Sequence, residues 1–114
     1  MLKMGISIFL GLAAMTADPI ATSRKSYSNC LREFHNTSVV NKLSLSDFQD
    51  KVKLACEAER AAYQSTLVRS ERSFGASVKE AEAYAAEEIQ IVIDAISTAF
   101  ADNASEGAKL LPEK

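Results

Sequence analysis

Two cysteines carry the clearest chemistry in this chain. Cys30 and Cys56 stand 26 residues apart, an even pair that an oxidising compartment would join as a disulfide. Closing that loop would stabilise the fold by about 3.5 kcal/mol on the chain-entropy estimate. A small domain is held together by roughly 5–10 kcal/mol in total, so the bond would matter. A free buried thiol and half of a metal site are the alternatives. Zinc needs four ligands, and no further Cys or His lies at ligand spacing, so no metal is expected.

Other groups offer less. His35 is the single histidine. It could act as a general base or a metal ligand, but no nucleophile stands at a readable spacing. It is expected as an exposed residue at a helix end, where a cation suits the helix dipole. Glu80, Glu87 and Asp94 recur every seven residues and could face a cation or a basic partner, although such a stripe is usually the solvated face of a helix. Glu59 interrupts an apolar seam and is expected at the seam's edge with a wet carboxylate. Tyr27, Tyr63 and Tyr84 lie on or near apolar faces; a pocket near Tyr63 and Ile89 could take a small apolar ligand, and core tyrosines with hydroxyls at the rim are the alternative. Asn36-Thr37-Ser38 and Asn103-Ala104-Ser105 match the glycosylation acceptor pattern, which has meaning only in a glycosylating host. No phosphate-cradling glycine loop and no nucleophile elbow is present. No catalytic residue and no cofactor is assigned.

The elements that must position these residues read as helices throughout. Tyr27, Cys30, Leu31 and Phe34 share one face of a short helix over residues 24–36. Val39 and Val40 then read as an extended connector. Ser46 with Gln49 has the capping-box pattern, and Ser44 is a rival start. From there a single helix is expected to run to about Phe74, with Phe48, Val52, Cys56, Tyr63 and Leu67 as its seam. Gly75 ends it, because glycine tolerates the left-handed conformation just past a helix. Ser77 and Glu80 form a second capping box. Beyond them Val78, Ala81, Ala85, Ile89, Val92, Ile93, Ile96 and Phe100 mark the most regular helix, to about Asn103. The short turn makes the two long helices antiparallel neighbours. The predicted fold is all-α: a short first helix on an antiparallel helical hairpin, clamped by Cys30–Cys56.

The ends bear on compartment. Lys3 is followed by an uncharged stretch from Met4 to Ala17, the pattern of a secretory signal. At 14 residues it is short for a membrane span of ~20. Residues 1–23 are read as a signal peptide with cleavage between Ala17 and Ser23. A buried N-terminal helix and an uncleaved tether are the alternatives, and no stable membrane span is expected after cleavage. Residues 24–103 form the helical domain. Residues 104–114, with Gly107 and Pro112, read as a flexible tail, with loose docking of Leu110-Leu111 as the alternative. Thirteen basic and 15 acidic residues give a net charge of -2, which argues against nucleic acid as a partner.

The spacing Tyr27-x-x-Cys30-Leu31, followed by Ala55-Cys56-x-x-Glu59-Arg60-x-Ala62-Tyr63, resembles small exported proteins of unknown function from alphaproteobacteria. The likeness covers residues 24–70. It implies a periplasmic helical domain with paired cysteines and brings no activity or ligand with it.

Together these readings predict a periplasmic or secreted protein that is not an enzyme. It is expected to work through protein–protein contact, as a homo-oligomer or with another protein, or in a structural role. Binding of a small apolar ligand is the alternative.

Overall fold

Ala81, Ala85, Ile89, Ile93, Ile96 and Phe100 are buried along the longest helix at steps of three and four residues, the spacing that keeps side chains on one face. The computed structural model describes residues 18–114. Within them lie α1 (Pro19–Val40), α2 (Leu45–Val52), α3 (Glu57–Ser73) and α4 (Val78–Asn103), and no strand. The expected signal segment lies, for residues 1–17, outside the described residues. The all-α class and the disulfide are as predicted: Cys30 and Cys56 are bonded, with Cα atoms 6.0 Å apart.

The hairpin turn follows the sequence closely. Gly75 has φ +100°; its N–H donates to the Arg72 carbonyl and the Ala76 N–H to that of Glu71, which satisfies two carbonyls at the end of α3. Ser77 then caps α4, accepting from the Glu80 N–H while the Glu80 carboxylate accepts from the Ser77 N–H. Those bonds hold the Glu80 carboxyl below its usual value.

Four boundaries differ from expectation. First, α1 starts at Pro19, capped by Asp18, whose side chain accepts from the Ile20 N–H. Pro19 suits the first helical position because its missing N–H would have no partner there.

Second, α1 does not stop at residue 36 but runs on through Val39 and Val40. Tyr27, Leu31, His35, Ser38 and Val39 form one buried stripe, and packing outweighs the weak helix preference of Thr37, Val39 and Val40. The helix closes at Lys42, at φ +55°, with the Leu43 N–H donating to the Ser38 carbonyl.

Third, Ser44 and not Ser46 caps α2, accepting from the Asp47 N–H at 3.1 Å.

Fourth, the expected single helix over 46–74 is two helices, α2 and α3, parted at Lys53–Cys56. Cys56 adopts φ +59°, a conformation that costs a residue with a Cβ. The Arg60 guanidinium donates to the Lys53 carbonyl in this break. In an unbroken helix Phe48 and Leu67 would point about 100° apart; with the break, both are buried in one core.

That core centres on aromatic rings. Phe48 stacks on Phe100 with centroids 4.1 Å apart and meets Phe34 at 5.2 Å. His35 stands edge-on to Phe100 at 6.0 Å, and Tyr27 lies 6.3 Å from Tyr63.

Candidate functional site

The predicted site residues fall in separate parts of the fold. The half-cystines tie α1 to the α2–α3 break and, being bonded, offer no thiol. Tyr63 and Ile89 are both core side chains and line none of the surface grooves described below. The small-ligand pocket expected near them is not among those grooves. Burial raises the Tyr63 hydroxyl above its usual value, with Glu88 adding to that and Arg24 opposing it.

His35 is not at an exposed helix end: it is fully buried. Its Nδ1 is 2.9 Å from Asn36 Oδ1 and its Nε2 is 3.4 Å from Asn103 Nδ2. The ring therefore bridges α1 to the end of α4. Its position was signalled in the sequence, because Tyr27, Leu31 and His35 are spaced by four; the early end assigned to α1 concealed it. Glu59 is half-buried, as expected for the seam's edge. It lines an open groove of about 660 Å³ with Thr22, Ser23 and Ser26 of α1. Ser26 is nine residues, or about 14 Å of helix, from His35, so the histidine and this acid do not assemble. Glu80, Glu87 and Asp94 are all exposed. Among the described residues no three His, Cys, Asp or Glu side chains are placed to hold a metal ion, and no helix is long and apolar enough to cross a membrane.

The arrangement that sequence reasoning missed is at the C-terminus. Instead of a free tail, residues 110–113 lie along α1. After the turn at Gly107, which has φ +70°, Leu110 exchanges two hydrogen bonds with the Asn36 amide at 2.8 and 2.9 Å. Glu113 exchanges two with the Asn29 amide at 2.7 and 3.1 Å. Arg32 Nη1 donates to the Leu111 carbonyl at 2.6 Å. The Glu113 carboxylate accepts two bonds from Arg24, at 2.9 and 3.1 Å.

Arg24's hydrogen bonds, aided by the Ser28 hydroxyl, pull the Glu113 carboxyl down to about 2. Asn36 and Asn103 are thus structural amides, and a glycan on the Asn36 nitrogen would remove its bond to Leu110. The only signal for this docking was the pairing of Leu110-Leu111 with a nearby proline and acid, too weak to choose a partner helix.

A second surface feature is the hairpin tip. Phe74 is 85% exposed and Val78 52%, on either side of the turn between α3 and α4. Set against family models, curated proteins and solved structures, the chain matches none.

Proposed function

We propose that this protein is exported, works outside the cytoplasm with Cys30 and Cys56 joined, and acts by contact with protein surfaces or as a structural element rather than by catalysis. The uncovered tip carries the reading: a ring as open as Phe74, with Val78 four residues on, marks a contact surface when apolar groups cluster at a protrusion. The separation of His35 from Glu59 supports a non-catalytic reading. A disulfide suits an oxidising compartment, periplasmic or secreted, as in the alphaproteobacterial proteins the sequence resembles. Cleavage after Ala17 fits best, because a cut after Ser23 would remove the Asp18 cap and Ile20, which packs against the core.

Sedimentation velocity of the oxidised protein tests the contact reading. The expected result is concentration-dependent association that Phe74→Ser weakens. A monomer at every concentration that also binds no apolar dye would overturn it.

A further inference from the structure

Asn29 and Asn36 each pair with both backbone groups of one residue in the C-terminal segment. A side-chain amide used in this way reads extended backbone whatever side chain that residue carries. The register is a geometric match. Seven helical residues rise about 10.5 Å, and three residues of extended chain span about 9–10 Å. Two amides seven apart on α1 therefore meet backbone units three apart on the segment, which runs antiparallel to the helix.

Pro112 falls between the paired residues, where its missing N–H loses nothing, and it biases Leu111 toward an extended conformation. Side chains are read at the ends of the ladder: Arg24 takes a carboxylate at Glu113, and Leu110 packs against the core. Beside the segment a groove of about 280 Å³ remains open, walled on α4 by Ile91, Val92, Ala95, Ile96 and Ala99. Leu111 does not fill it, being 81% exposed.

We propose that this face of α1 is a receptor for an extended peptide of a partner protein, one carrying a carboxylate three residues after an apolar residue, and that the C-terminal segment is its built-in, displaceable occupant. Arg24 selects the carboxylate by charge, the two asparagines hold the backbone, and the open α4 wall rewards a partner bulkier than the native segment. The assignment rests on the contact reading and gives it a partner chemistry, but uses none of the tip residues. A tethered occupant competes at a high effective concentration, so the face is available only in the fraction of molecules whose segment is released.

The test uses the full, disulfide-bonded chain and a fluorescein-labelled synthetic peptide with the sequence of residues 108–114, followed by anisotropy. The peptide is expected to bind the wild-type chain weakly and the Glu113→Ala chain about 3–10-fold more tightly, because the competing segment is loosened. Replacing the peptide's own glutamate by glutamine should weaken binding several-fold, a change on the probe that needs no variant to fold. Asn29→Ala with Asn36→Ala should abolish it. No binding to any chain at millimolar peptide, or equal binding of the glutamate and glutamine peptides, overturns the proposal. So does a wild-type dimer that forms by exchange of segments and excludes the peptide, which would assign the face to a second copy. If the peptide fails while Phe74-dependent association persists, the receptor assignment falls and the contact reading stands.

Discussion

Tyr27 buries its whole ring, yet its hydroxyl meets no hydrogen-bond partner among the described residues. Burial raises that hydroxyl above its usual value, with Arg60 opposing. An unpaired buried hydroxyl is destabilising, so Tyr27→Phe should be neutral or should stabilise the fold by up to about 1 kcal/mol in urea denaturation. A loss larger than that would show that the hydroxyl is partnered in solution. Glu113 gives a pH prediction. Its folded value of about 2 lies below the ordinary 4.5, so its contribution is full above pH 4.5 and is lost as pH falls from there toward 2. The pair is partly exposed, with Arg24 at 40% and Glu113 at 26%, so its energy is modest, about 1 kcal/mol or less. Nuclear magnetic resonance should show the Leu110 and Glu113 amides leaving their folded positions in that window while those of α4 hold. Release already above pH 5 would contradict the assignment. At this scale the half-cystines were legible from their even count, whereas the burial of His35, signalled only by its four-residue spacing from Leu31, was masked by ending α1 at Asn36.

Among the elements, α4 was the most legible. Its stripe from Ala81 to Phe100 and its cap at Ser77 are local features, fixed by spacing and by one side-chain exchange. Ser77→Ala should therefore cost about 1 kcal/mol, read as a lower midpoint in thermal or urea unfolding; an unchanged midpoint would mean that the cap contributes nothing. The break between α2 and α3 was illegible for the opposite reason. Lys53-Leu54-Ala55-Cys56 contains no glycine or proline, and what stops the helix there is tertiary: Cys56 is bonded to α1 and Phe48 is committed to Phe100. The C-terminal segment was hidden in the same way, since its partners are 74–89 residues distant in sequence. A bond that clamps such a break should hold it strongly. Replacing Cys30 and Cys56 by serine is expected to lower stability by about 2–4 kcal/mol, with the largest loss of amide-exchange protection in α2. Uniform loss across α2 and α4 would show that the bond has no local role.

For the whole molecule, three helices and the short α2 share one aromatic-centred core, and one covalent bond joins its first helix to its break. A chain of this size buries a modest share of its surface and gains stability from such a staple. On the proposed export, an oxidising compartment would supply the oxidant, and the cap at Asp18 gives α1 a defined start. The most direct measurement is the intact mass of the protein from a periplasmic or secreted fraction, alkylated without reductant. The account predicts a chain that begins at Asp18, is two hydrogens lighter than the reduced form and carries no alkyl group. A chain retaining residues 1–17, with both Cys30 and Cys56 alkylated, would contradict it.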